Sequence, residues 1–362
     1  MDKNKEFYIF TPGPVKMPDY VLEEGRRQLP YFRTDDFSRL ALESQEMILE
    51  LVKAGPDFKV IYMAASGTGV MEAVVLNLLS KTETALVING GTFGQRFVDL
   101  CRVLSVPCFE HKLPYGEPLE TAAIAAGGAR SATMLINGHE TSTGVLFDIA
   151  RTGEYCSKNG LMHVVDAISM FLTDEIDMLK MNIDALILSS QKGLALAPGL
   201  GLLVLSPRAQ EKIRESAARL GSLYFRLADY LNDMARGQNP YTPPLSVMFQ
   251  MYARLKHIRA HGGAAAEIRR AQRVAAYFRA HIQGLPLAVF SKSPPNAMTS
   301  LSPTDGRLAH RIVKDIEDRY NIFVCPNGGE LRDKVFRVSH MGDIDEAYTD
   351  VLIRALQDYY SR

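Results

Sequence analysis

Along the chain, short apolar runs alternate with polar, glycine-rich junctions. Residues 59–64, 84–88, 106–111, 132–137, 161–165, 185–189 and 201–205 are runs of largely apolar character. That is the pattern of strands buried on both faces. Between them, 70–79 and 93–104 read as helices. Strands of this kind separated by helical segments predict a mostly parallel, seven-stranded sheet in a large α/β domain. Ahead of it lie a polar lead over 1–10, the rigid turn Thr11-Pro12-Gly13-Pro14, and helices over 19–28 and 38–53. From Ser206 the chain turns largely helical, over 207–220, 223–236, 245–260 and, past the break at His261-Gly262-Gly263, over 264–282. Strands over 285–292, 299–301, 321–325 and 334–339 then alternate with helices over 305–318 and 343–360. This is a smaller C-terminal α+β domain. The expected division is a large domain over 1–260 and a small one over 261–362.

In sheets of this type ligands bind beyond the carboxyl ends of the strands, so the residues after each run carry the chemistry. The run 185–189 leads through Ser190 and Gln191 to Lys192 and a loop rich in Gly, Ala and Pro. A lysine leaving a buried strand is placed to be desolvated and to act as an amine nucleophile, although the same pattern also suits a surface lysine at a loop start. Ser66-Gly67-Thr68-Gly69 joins a strand to a helix. Its free N–H groups, hydroxyls and helix dipole suit a phosphate, or serve only as an N-cap. No GKS or GKT follows, and the stretch is not GxGxxG. After the second strand comes Asn89-Gly90-Gly91-Thr92-Phe93, where Phe93 is either a core residue or a platform for a flat ring. His139 to Gly144 is a dense polar cluster after the fourth strand. Asp166 ends the fifth, where a cation such as a protonated ring nitrogen would offset the cost of a buried carboxylate. An amine, a carboxylate, an aromatic platform and a phosphate cradle together match pyridoxal phosphate.

Charge and cysteine content narrow the alternatives. The 362 residues carry 41 Lys plus Arg against 41 Asp plus Glu. This balance argues against nucleic-acid or membrane-surface binding through bulk electrostatics. Cys101, Cys108, Cys156 and Cys325 are scattered without CxxC, so neither a disulfide framework nor a zinc site is expected, and a reducing cytoplasm is. No run approaches the about 20 apolar residues of a membrane span, and the N-terminus does not read as a signal peptide.

The motifs FTPGPV, ASGTG, NGGTFGQR, HETSTG, VVDAIS, SSQKGLALAPG and VFRVSHMG occur in one order. With them the chain resembles class V pyridoxal-phosphate aminotransferases of fold type I, in the group of alanine/serine–glyoxylate (or –pyruvate) and 2-aminoethylphosphonate–pyruvate aminotransferases. The resemblance implies that Lys192 carries the cofactor as a Schiff base and shuttles the proton. Asp166 would hold the pyridine nitrogen protonated and Phe93 would stack on the ring, where relatives often have Trp or Tyr. Thr143 would bond near the ring hydroxyl, and Ser66, Gly67, Thr68 and Gln191 would bind the phosphate. Tyr241 and Thr242 would complete the phosphate site of a neighbouring subunit, which implies a homodimer. Arg337 would clamp a substrate carboxylate or phosphonate, and Pro12 and Gly13 would lie near the substrate. The reaction implied is ping-pong transfer of an amino group from a small donor to a 2-oxo acid such as glyoxylate or pyruvate. A transaminase of 2-aminoethylphosphonate is the second reading. A cysteine desulfurase-like lyase would need Cys325 as nucleophile. A pyridoxal-phosphate-sensing regulator would need a DNA-binding domain, for which the ten residues before TPGP leave no room. Arg33 could supply another cation, and His340 and Met341 neighbour Arg337 without a derivable role.

Overall fold

The computed structural model describes residues 7–362; of the expected lead, 1–6 lie outside them. The chain opens with β1 (Tyr8–Ile9), crosses the TPGP turn and forms α1 (Asp19–Gly25) and α2 (Asp35–Leu51). Thr34 caps α2, its side chain accepting the Phe37 N–H at 3.3 Å. Then follow β2 (Lys59–Ala64), α3 (Gly67–Leu78), β3 (Ala85–Asn89), α4 (Thr92–Val103), β4 (Cys108–Lys112) and β5 (Thr133–Asn137). A short hairpin of β6 (His139–Glu140) and β7 (Val145–Leu146) precedes α5 (Ile149–Asn159), β8 (Met162–Asp166), β9 (Ala185–Ser189) and β10 (Leu200–Leu205). Helices α6 (Pro207–Ser216), α7 (Leu227–Met234), α8 (Leu245–Ala260) and α9 (Gly263–His281) come next. The C-terminal part holds β11 (Leu287–Val289), β12 (Met298–Pro303), α10 (Ala309–Tyr320), β13 (Ile322–Phe323), β14 (Cys325–Pro326), β15 (Phe336–Ser339) and α11 (Glu346–Ser361).

All seven strands predicted for the large sheet join one sheet, in the order β2-β10-β9-β8-β5-β3-β4. β9, β8, β5, β3 and β4 pair in parallel, and β10 runs antiparallel to both neighbours, β2 and β9. Outside the edge strand β4, which is exposed or half-buried throughout, the apolar runs are continuous because each strand feeds two cores. Leu186, Leu188, Leu202 and Val204 pack on one face with α2 and α8, while Ala185, Ile187, Leu203 and Leu205 pack on the other with α3, α6 and α7. Each fully buried Leu or Ile contributes roughly 1.5–3 kcal/mol.

The smaller sheet, β11-β12-β15-β14, is antiparallel and packs its core against α9, α10 and α11. Here the structure departs from the expected polar lead. β1 pairs in parallel with β13, Phe10 is fully buried in the small core, and Ser339 N–H donates to the Phe10 carbonyl at 2.8 Å. The segment is too short for hydrophobic period to reveal it, and its pairing partner is remote in sequence. The predicted strand over 321–325 divides into β13 and β14 at Val324. Helix α5, not foreseen individually, is capped by Asp148, which accepts the Arg151 N–H at 3.1 Å, and closed by Gly160 at φ 73°.

Candidate active site

A cavity of about 170 Å³ opens where β2, β3, β8 and β9 end, as expected for this sheet type. Lys192 lines it, partly buried, three residues past β9. The local chain leaves the lysine little choice of position. Leu196 N–H donates to Ser190 O at 3.0 Å and Ala195 N–H to Lys192 O at 2.8 Å, closing a tight turn. At Gly193 a Cβ would lie 2.0 Å from the Phe171 carbonyl. Gly13 flanks the lysine stem from the other side, at φ 140°, with space for a Cβ only 2.7 Å from Lys192 Cδ and Cε. Gly13→Ala is therefore expected to displace the amine and cost roughly 10²-fold in turnover. The steady-state rate with a good donor checks this, and a wild-type rate would show that the stem has room to yield.

Asp166, at the end of β8, is 6% exposed. It accepts Asn137 Nδ2–H at 2.6 Å and Ile168 N–H at 2.9 Å, both neutral partners. Burial pushes its carboxyl up to about 6, against the pull of those bonds. Burial pushes the Lys192 amine down to about 8; the Arg337 charge adds to this and Asp166 opposes it. The cavity thus holds a poorly neutralised carboxylate and a weakly basic amine. His139, also lining it, is held down to about 3 by burial and is neutral at pH 7.

Two helix N-termini meet here, and they are not equivalent. At α4 the buried Glu140 carboxylate accepts the Phe93 and Gly94 N–H groups at 3.2 and 2.9 Å, and Ser142 Oγ–H at 2.6 Å. That terminus already has its anion. At α3, Ser66 Oγ accepts Gly69 N–H at 3.3 Å and Ser66 O accepts Val70 N–H. Gly67 and Thr68, at the first two helical positions, keep the amides that helix geometry leaves over. A Cβ on Gly67 would lie 2.2 Å from Ile168 Cδ1, so glycine lets this terminus close on the turn after β8. Gln191 Oε1 accepts Ser189 Oγ–H at 2.6 Å, leaving its NH₂ as the free donor. Phe93 forms a wall of the cavity.

Arg337, on β15, donates from Nη1 to Thr141 O at 3.3 Å and from Nη2 to Pro326 O at 2.6 Å and Cys325 Sγ at 3.0 Å. Its Nε–H is buried without a partner among the described residues. A cation held by neutral acceptors with a donor to spare is suited to an incoming anion.

The family model described as aminotransferase class-V matches residues 27–326. The chain belongs to the class V aminotransferases. It is 28% identical to the small subunit of a soluble hydrogenase from Synechococcus sp. over 96% of this chain and 91% of that protein. It is also 28% identical to the L-aspartate–glyoxylate aminotransferase of Paracoccus denitrificans, over 94% and 87%. In fold it matches the alanine–glyoxylate aminotransferase of Nostoc sp., with a TM-score of 0.92 at 23% identity over 99% of this chain and 97% of that one. The fold is therefore fold type I and the cofactor pyridoxal phosphate. The residues present fit it: a carboxylate, an amine, an aromatic wall and an anion cradle of backbone and side-chain donors line one cavity.

Of the residues singled out in the sequence of this aminotransferase, Gly13, Ser66, Gly67, Thr68, Phe93, Asp166, Gln191 and Lys192 converge on the cavity. Arg337 reaches its rim through Thr141. Thr143 is not part of the lining; its hydroxyl is buried against the Gly90 and Glu140 carbonyls at 3.4 and 3.5 Å. Tyr241 lies apart, stacked on Tyr224 with its hydroxyl donating to Leu223 O, and Thr242 is exposed. Arg33 braces the segment before them, donating to Asn239 O at 2.8 Å and Pro240 O at 3.2 Å. His340 is a core histidine bonded to Thr299 Oγ1 at 2.8 Å. His139 and Thr141, foreseen as members of the polar cluster after the fourth strand, also line the cavity, whereas Arg96 and Asn137 were given no role from the sequence. Arg96 had a usable signal, since it lies three residues after Phe93 and so on the same helical face.

Proposed function

We propose that this aminotransferase moves an amino group from a small donor of the alanine or serine type to a 2-oxo acid such as glyoxylate or pyruvate, by a ping-pong scheme. The observation that carries the reading is a weakly basic amine, Lys192, in a small cavity that has the anion-ready guanidinium of Arg337 at its rim. One clamp and one reacting centre suit a compact amino acid. Bound pyridoxal phosphate supplies the electron sink for a carbanion at the substrate α-carbon. Lys192 holds the cofactor, then takes the donor α-proton and returns it on the cofactor side. Ionised Asp166 keeps the ring nitrogen protonated, and Phe93 covers one ring face. Ser66, Gly67, Thr68 and Gln191 hold the phosphate, and Gly13 leaves room beside the amine. Thr143 supports the strand-end loop at the ring hydroxyl. Tyr241 and Thr242 serve the partner subunit's phosphate site in a homodimer, which the exposure of Thr242 and the bracing by Arg33 support.

A donor panel of alanine, serine, aspartate and 2-aminoethylphosphonate, each with glyoxylate and with pyruvate, tests this. Alanine or serine is expected to lead, with parallel double-reciprocal plots. Turnover confined to 2-aminoethylphosphonate would transfer the reading to the phosphonate enzymes. Arg337→Lys is expected to raise KM for both donor and acceptor roughly 10- to 100-fold, because a point charge cannot replace the planar fork. Unchanged KM values would remove Arg337 from the clamp.

A further inference from the structure

Arg96 lies on α4 one turn beyond Phe93 and lines the same cavity. Its Nη1–H donates to Thr68 Oγ1 at 2.9 Å, and its Cζ stands 4.8 Å from the centre of the Phe93 ring. Both contacts are with neutral groups, so neither offsets its charge. The nearby carboxylate at the head of α4, Glu140, is committed to the Phe93 and Gly94 amides and to Ser142. The hydrogen bond to Thr68 has a direction. With Oγ1 accepting from Arg96, the Thr68 hydroxyl hydrogen is free to donate into the cradle at the head of α3.

That cradle is otherwise built from uncharged donors: the Gly67 and Thr68 amides, hydroxyls and the Gln191 NH₂. A phosphate monoester carries about −1.5 to −2 charges at pH 7. Helix N-terminal donors supply only about half a positive charge. The second basic group lining the cavity, Lys192, is the reacting amine, which must be uncharged to attack an aldehyde or to take a proton, so it cannot serve as a fixed cation. The site therefore needs a cation that chemistry does not consume.

We propose that Arg96 is that cation: it supplies the fixed positive charge of the cofactor-phosphate site and orients the Thr68 hydroxyl toward it, while its guanidinium steadies the Phe93 ring. The inference rests on the pyridoxal-phosphate reading of the cavity, and it makes Arg96 a phosphate-binding and positioning residue.

The test uses the full-length apo-enzyme titrated separately with pyridoxal 5′-phosphate and with pyridoxal, which lacks the phosphate. Uptake is read from the absorbance of the lysine adduct. Arg96→Gln is expected to lower the preference for the phosphorylated form roughly 10- to 100-fold, the scale of one charge-assisted contact. Affinity for pyridoxal itself should change less than about threefold. Arg96→Met, which keeps the aliphatic stem, should behave like Arg96→Gln, and Arg96→Lys should recover part of the preference. Melting curves of the apo forms confirm that the variants are folded. An unchanged preference would overturn the proposal, as would equal losses for both ligands, which would place Arg96 in a packing role through Phe93. Failure of the wild-type protein to form an adduct with either aldehyde would remove the cofactor reading itself and the proposal with it.

Discussion

Lys192→Ala is expected to lower transamination by about 10⁴-fold or more and to leave no cofactor that borohydride can fix to the protein. The size follows from two tasks resting on one amine. It holds the cofactor, and it carries the proton between two carbons that no other positioned base serves as well. His139 in the same cavity is held neutral by burial, with a basicity far below that needed for a base near pH 7. Turnover near the wild-type rate would end the scheme. The same amine predicts a pH profile. Burial and the Arg337 charge hold Lys192 down to about 8 from its usual 10.5. Capture of an aldehyde by the apo-enzyme should therefore quicken as pH rises to about 8 and then level off, much earlier than for an ordinary lysine. The linkage sign is positive. Between about 8 and 10.5 the unfolded chain holds the extra proton, so this group makes the apo-protein more stable as pH rises through that window.

Asp166→Asn is expected to slow turnover on the order of 10²- to 10³-fold, the usual cost of removing one preorganised charge from a reacting centre. It should stabilise the apo-protein at neutral pH at the same time. The native carboxyl is raised from 3.8 to about 6, so between those values the folded state holds more protons than the unfolded one. Stability from this group therefore falls as pH rises through that window, and the ionised form is strained above it. A neutral amide relieves the strain, worth roughly 1–3 kcal/mol. The site can accept it. Asn137 Oδ1 is buried without a hydrogen-bond partner among the described residues, so a flip of that amide offers an acceptor to the new NH₂ group. A higher apo melting temperature together with a slower enzyme is the expected pair of results. An unaffected rate would take Asp166 out of its role at the ring nitrogen.

These two residues were legible in the sequence for the same reason that the sheet was. A strand buried on both faces must be apolar throughout, so the first polar residue after it marks the end of the strand and the edge of the ligand crevice. Asp166 follows such a run directly, and Lys192 follows another at three residues' distance. Ser66 to Thr68 and Phe93 were visible because a helix starts immediately after each strand and needs small or capping residues there. What stayed hidden depends on pairs distant in sequence. Arg96 reaches Thr68 across two helix heads, and Glu140 fills the head of α4. Arg33 secures the segment before Tyr241. β1 joins β13 from the opposite end of the chain.

Local pattern in the sequence alone therefore determined the seven strands, the lysine, the carboxylate and the cofactor they imply, because burial on both faces and strand-end chemistry are written in consecutive residues. Tertiary structure alone decided which helix head is already occupied by Glu140 and which stands open. It also decided that Arg337 is held by neutral acceptors and that Arg96 faces the open cradle. Charge balance in a cavity is a property of what meets in space, and no spacing along the chain encodes it.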